Sequence, residues 1–184
     1  MTLSLTRTPF WYLRHGQTDW NAKDLSQGNV DIPLNAVGIQ QAHDAAAKLK
    51  YRGIASIFVS PLSRAVDTAR IVADALGLGY SIIPSLREVS FGVQEGKEMG
   101  DWFHDWVDDA FTPEGAESFA ALRARTRGAI NEALLGQAPV LVVGHGAVFR
   151  ALRAEMGLDR SVRIKNAQPV FCVPDSTGWD LQEP

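Results

Sequence analysis

The sequence predicts a three-layer α/β/α sandwich around a mostly parallel central sheet. Three observations carry that expectation. Short apolar runs recur along the chain and are continuous rather than alternating, as in strands buried on both faces. Helical stripes separate these runs, so strands and helices alternate, which favours parallel pairing through crossover helices. The length of 184 residues suits one domain, 1–184, large enough for a sizeable core.

The elements follow in order. A first strand is expected at 10–13, within PFWYL. A helix is expected over 35–50, where Ile39, Ala42, Ala46 and Leu49 recur at three- and four-residue steps behind Asn35, a suitable N-cap. The run ASIFVS at 55–60 gives a second strand. Ala65, Ala69, Val72 and Leu76 then stripe a helix over 62–76, stopped by Gly77. YSII at 80–83 reads as a third strand. The stretch 92–115, rich in aromatics and acids, fits neither period and reads as an excursion. Phe119, Leu122, Thr126, Ile130 and Ala133 mark a helix over 116–135. PVLVVG at 139–144 is a strand, 147–156 a helix ended by Gly157, and PVFCVP at 169–174 a last strand.

Composition narrows the function classes. A hydrophobic share of 46% and a charged share of 21% are ordinary for a globular protein. The net charge of −3 argues against bulk electrostatic binding of nucleic acid. Arginines at 123–127 and 150–163 are interleaved with Glu155 and Asp159 and read as solvated faces. Cys172, the single cysteine, lies in an apolar run and reads as a small buried hydrophobe in a reducing compartment. The N-terminus lacks a signal-peptide pattern, and no apolar run approaches the roughly 20 residues of a membrane helix. A cytoplasmic protein with no membrane or nucleic-acid partner is expected. The four histidines have no metal-ligand spacing, so neither a metal nor another cofactor is expected. Nothing in the sequence specifies an oligomeric state.

Ligands of open α/β sheets collect outside the carboxyl ends of the strands. Three segments place polar groups there: LRHG after the first strand, SPLSR after the second and GHG after VLVV. Their tips carry Arg14, His15, Arg64 and His145. Two arginines facing one point beside a helix N-terminus suit a phosphate, which accepts forked guanidinium hydrogen bonds.

With these motifs the chain resembles the histidine phosphatase superfamily, also called phosphoglycerate mutase-like. The resemblance runs through RHGQTDWN, LNAVGIQQA, SPLSRAVDTA, LREVSFGVQEG, GAES and VVGHG, in family order over roughly residues 16–146. It implies that His15 is the nucleophile that becomes phosphohistidine. It further implies that Arg14, Arg64 and His145 hold the equatorial phosphoryl oxygens, that Asn21 adds an amide contact, and that Glu88 is the proton donor. Glu95 and Glu98 compete for that last role. These parts suit the chemistry: a covalent intermediate splits one hard hydrolysis into two transfers. Cations answer the charge on the equatorial oxygens, and an acid protonates the leaving alkoxide.

The resemblance therefore implies a metal-independent phosphomonoesterase, of phosphatase type, acting on a small organic phosphate ester. The alternatives are phosphoryl transfer of the phosphoglycerate mutase type and a non-catalytic phosphate-binding or regulatory module. Retention of both His15 and Glu88 counts against the module. The excursion should overlie the site, with Trp102, His104 and Trp106 as candidate lid residues. Its seven acids against Lys97 allow two arrangements. The acids face inward and repel a second phosphate while the aromatics enclose a leaving group, or the aromatics pack on the core and the acids face water. The chain lacks the basic insertion of the glycolytic mutases and has Val93-Gln94-Glu95-Gly96 where the family often has WEG.

Overall fold

A computed structural model describes residues 4–184. A six-stranded mixed sheet forms the middle layer, in the order β3-β2-β4-β1-β5-β6. Strands β1 (Phe10–Arg14), β2 (Ser56–Val59), β3 (Ser81–Ile82) and β4 (Val140–Gly144) are mutually parallel. Strand β5 (Pro169–Pro174) runs antiparallel to β1, and β6 (Trp179–Gln182) antiparallel to β5.

Successive residues of β1 feed opposite cores. Phe10 and Tyr12 pack with Val140, Val142, Phe119 and Phe149 on one face, whereas Trp11 and Leu13 pack with Leu141, Val143, Leu49 and Val72 on the other. Strand side chains alternate between faces, so a run apolar at every position needs cover on both sides. The cover is α2 (Ala36–Leu49) and α3 (Ser63–Leu76) on one face, α5 (Phe119–Ala133) and α6 (Gly146–Glu155) on the other. The α/β sandwich expected from the sequence is the observed fold. Asn35 caps α2 by accepting from the Gly38 N–H at 2.9 Å, and Gly77 ends α3 in the left-handed region at φ 68°.

Three elements lie outside the sequence expectation. Helices α1 (Asp19–Ala22) and α4 (Trp102–Val107) are four and six residues long, too short to display a helical period. Strand β6, with the sequence WDLQ, is an edge whose Asp180 and Gln182 face solvent. The expected strand at 80–83 contracts to two exposed residues, Ser81 and Ile82, because β3 is the opposite edge. Among the described residues no helix is long and apolar enough to cross a membrane.

The sheet order positions the site. Strand β4 lies between β1 and β2, with Arg14 paired to Gly144 and Val59 to Val143. The three segments carrying polar tips thus leave from neighbouring strands at one edge of the middle layer.

Candidate active site

A cleft of about 360 Å³ opens at that edge; Arg14, His15, Asn21, Arg64 and Glu88 are among the residues lining it. His145 lies behind this wall, fully buried, its ring centroid 5.2 Å from that of His15. The structure therefore brings together the residues drawn from the three strand-end motifs, and adds Glu88.

Each side chain is held mainly by backbone. The His15 ring Nδ1 lies 2.6 Å from the Gly16 carbonyl oxygen. A carbonyl can only accept, so Nδ1 carries the proton and Nε2 keeps its lone pair. Arg64 sits on the first turn of α3, whose N-terminus is capped by Asp31 through the Ser63 N–H and hydroxyl. Its guanidinium donates to Val30 O and Gly28 O, both at 2.8 Å. Arg14 donates to Ile164 O at 2.8 Å. Among the described residues, neither guanidinium has a carboxylate within the 4.0 Å of an ion pair. The Nε atoms of both are buried without a partner.

Two cations buried without an ion-pair partner set the electrostatics. Burial, reinforced by repulsion from Arg163, lowers Arg14 to about 10, so it remains charged at neutral pH. Burial and then Arg64 and Arg14 push His15 well below the usual histidine range, and burial with the same cations does so to His145. Both rings are therefore neutral at pH 7. A buried charge without a counter-charge is costly, and an anion in the cleft would relieve that cost.

Glu88 stands at the N-terminus of α6. His145 is the N-cap residue of α6 but makes no side-chain capping bond. Glu88 caps it from outside: Oε1 accepts from Val148 N at 3.2 Å and Val89 N at 3.0 Å, and Oε2 from Ala147 N at 3.0 Å. Oε2 therefore accepts one hydrogen bond and has room for a proton. Glu95 is committed elsewhere, accepting from the backbone N–H groups of Asn29 and Phe91, and Glu98 is exposed. Asn21 uses Oδ1 to accept from Thr18 N and Asn166 Nδ2, which leaves its Nδ2 as a donor.

Several further residues, some of them inside the motifs, support the site from behind. Gly16 and Gly38 interlock: a Cβ on Gly38 would lie 2.1 Å from Gln17 O, and one on Gly16 would lie 2.3 Å from Gly38 O. The loop bearing His15 thus rests directly on the first turn of α2. Thr68 accepts from the Gly16 N–H at 3.0 Å, and Asn166 donates to His15 O at 3.0 Å. The Tyr12 hydroxyl accepts from His145 N–H and donates to His145 O, both at 2.9 Å. Tyr12 lies on β1 between Trp11 and Leu13, so in the sequence it reads only as core.

The candidate lid needs correction. Trp106 is fully buried, donates its indole N–H to Glu117 O at 2.8 Å, and packs against Phe119 and Phe91 with centroids 5.1 and 5.2 Å away. Trp102 is half-buried, edge-on to Phe91 at 5.3 Å. Neither lines the cleft; His104, exposed, does, together with Phe103, Met99 and Asp101. Most acids of 92–115 face water, Asp108 pairing with Arg160 and Asp109 capping Ala120 N. The aromatics anchor the excursion because burying them removes far more apolar surface from water than a lid in solvent could.

Comparison with known proteins adds independent findings. The model of the histidine phosphatase superfamily (branch 1) matches residues 10–182. A probable phosphoglycerate mutase GpmB of Yersinia enterocolitica is 38% identical over 172 residues, covering 84% of this chain and 79% of that protein. Among solved structures, one described as mycobacterial hydrolase 1 superposes with a TM-score of 0.84 at 29% identity, covering 95% of this chain and 96% of the other. A mycobacterial glucosyl-3-phosphoglycerate phosphatase solved with VO3 gives a TM-score of 0.82 at 30% identity, covering 95% and 97%.

Proposed function

Because the chain belongs to the histidine phosphatase superfamily, we propose that it hydrolyses a small organic phosphomonoester through a phosphohistidine formed on His15. The observation that carries this reading is the pair of buried arginines, free of carboxylate partners among the described residues, beside a histidine whose Nδ1 is tied to Gly16 O. An anion completes the charge balance there, and the free Nε2 is the nucleophile.

The reaction has two halves. In the first, His15 Nε2 attacks phosphorus and the bond from phosphorus to the leaving oxygen breaks, while Arg14, Arg64, His145 and Asn21 hold the other phosphoryl oxygens. Glu88 passes its proton from Oε2 to the departing alkoxide and is left as a carboxylate. In the second, that carboxylate takes a proton from water, the resulting oxygen attacks phosphorus, and the P–N bond breaks. Orthophosphate leaves with His15 and Glu88 restored.

The leaving group would lie at the cleft mouth among Met99, His104, Arg150 and Arg163. A second reading follows from the curated relative named a probable phosphoglycerate mutase: the phosphoryl group on His15 returns to another hydroxyl of the substrate. Hydrolysis is favoured by the phosphatase and hydrolase descriptions of the structural neighbours.

The test offers purified protein p-nitrophenyl phosphate in the presence of chelator. Release of p-nitrophenol and phosphate is expected, with an alkali-stable phosphoenzyme in the native protein and none in His15→Ala. The substitution should lower the rate by about 10⁴-fold or more. Turnover confined to phosphoglycerates primed with bisphosphoglycerate would establish the mutase instead. Vanadate binding without turnover of any ester would establish a binding module.

A further inference from the structure

Ser60 follows β2 and is fully buried. Its backbone N–H donates to Val143 O at 3.1 Å, which fixes it beside β4. Its hydroxyl oxygen has two polar neighbours: the Leu62 N–H at 3.3 Å and His145 Nε2 at 2.6 Å. The Leu62 amide can only donate. The hydroxyl hydrogen therefore has, among the described residues, one acceptor, His145 Nε2. If Nε2 carried a proton instead, the serine hydrogen would be buried without a partner, which is unfavourable. Nε2 is thus the lone-pair nitrogen, and in the neutral ring the proton sits on Nδ1.

His145 Nδ1 is buried and has no partner among the described residues. Among the described residues Arg14 Nε and Arg64 Nε are likewise buried and unpartnered, and the charges of both guanidinium groups bear on the His145 ring. The His145 backbone is fixed on both sides of its Cα by the Tyr12 hydroxyl, so rotation of the ring about its own bonds is the remaining freedom, and Ser60 removes it.

We propose that Ser60 is a positioning residue that locks His145 as the Nδ1–H tautomer, so that a phosphoryl oxygen meets a third N–H donor rather than a lone pair. The consequence for phosphate rests on the phosphatase reading; the tautomer itself does not. His15 and His145 then carry their protons on the same atom for opposite ends. In His15 the N–H is turned into the backbone and the lone pair is free; in His145 the lone pair is capped by Ser60 and the N–H is free. A lone pair in that second place would repel an anionic oxygen.

Long-range ¹H–¹⁵N NMR of the ligand-free protein, with His145 assigned through His145→Gln, tests the tautomer directly. The expected spectrum has Nδ1 pyrrole-type and Nε2 pyridine-type; the reverse overturns the proposal even if the enzyme is fully active. Ser60→Ala should mix the two tautomers and lower kcat/KM on p-nitrophenyl phosphate by about 10- to 100-fold. Ser60→Thr, which keeps the hydroxyl, should restore most of it. In a His145→Gln background the loss from Ser60→Ala should shrink to about twofold or less. An undiminished loss there would mean that Ser60 serves only to cap Leu62, and would overturn the proposal. Should Ser60→Ala not fold, the native spectrum decides. Absence of turnover in the native protein defeats the phosphatase reading and leaves the spectrum to judge the tautomer.

Discussion

At the floor of the cleft, Arg14, His15 and Arg64, with His145 directly behind them, are at most 7% exposed, and backbone carbonyls or buried hydroxyls hold their nitrogens. At its mouth, Arg163 and Asp24 meet at 3.4 Å with side chains 62% and 73% exposed. The difference lies in what neutralises the charge. Carbonyl partners fix a guanidinium in place without cancelling it, so the floor keeps a directed positive field in a medium that screens poorly. The mouth pair is cancelled by its own partner and by water, contributes about 0–1 kcal/mol, and is free to rearrange around a leaving group. On the proposed reading, a floor of this kind would specify the phosphoryl group and a mouth of this kind would leave the rest of the ester loosely specified.

Matching substitutions at the two ends should separate most widely. Arg64→Gln is expected to lower kcat/KM on p-nitrophenyl phosphate by about 10²–10³-fold. It should also destabilise the protein, because Gly28 O and Val30 O lose their donors. Arg163→Gln should lower kcat/KM by less than about tenfold and change stability by about 0.5 kcal/mol or less. Steady-state kinetics and thermal melts on the pair decide the matter; losses of equal size would erase the distinction between floor and mouth.

Glycines allow the same comparison in the backbone. Gly38→Ala places a Cβ 2.1 Å from Gln17 O, a backbone atom of the loop that carries His15. The loop must move, at a cost of about 1–3 kcal/mol, and a displacement near 1 Å costs about 10²-fold in kcat. Gly100→Ala at the mouth meets Trp102 Cδ1 at 3.3 Å, the ring of a side chain that can give way. Its stability should change by about 0.5 kcal/mol or less, with kcat retained. Native-like activity in Gly38→Ala would show that the loop does not depend on its seat against α2.

The same division explains what was legible beforehand. The floor is written in short motifs because each strand end must supply a particular atom from a particular backbone position; LRHG, SPLSR and GHG are local in sequence and adjacent in space. Their supports are not local. Asn166 reaches His15 O across 151 positions and Ser60 reaches His145 across 85, and a serine or asparagine alone has many uses. Tyr12 was hidden among Phe10, Trp11 and Leu13, in the part of β1 that is apolar enough for core. At the mouth the sequence leaves Trp102 and Trp106 open between lid and core, because aromatic residues beside a site and aromatic residues anchoring a segment have the same composition. Only packing separates them. Helices α1 and α4 escaped because periodicity needs more than one or two turns to show.

The smallest expected effect concerns pH, and it too distinguishes the floor. His15 and His145 are held below the ordinary histidine value of 6.5, chiefly by burial and then by Arg64 and its neighbours. In the unfolded chain both rings take up protons as pH falls through about 6.5, while in the folded protein they stay neutral until lower pH. The unfolded state thus binds more protons in that interval, so folding stability is full above about 6.5 and declines as pH drops below it. Each ring contributes up to about 1.4 kcal/mol per pH unit of decline until its own folded value is reached. Urea unfolding at a series of pH values should therefore give a shallower decline below pH 6.5 for His15→Asn than for the native protein, by up to that amount. If His15 acts as the free base, as proposed, kcat/KM corrected for substrate ionisation should also not fall on its account as pH passes down through 6.5. Identical stability slopes in the two proteins would mean that the His15 ring is not kept neutral by its surroundings, and the buried arginines would then no longer be acting on the nucleophile as their positions require.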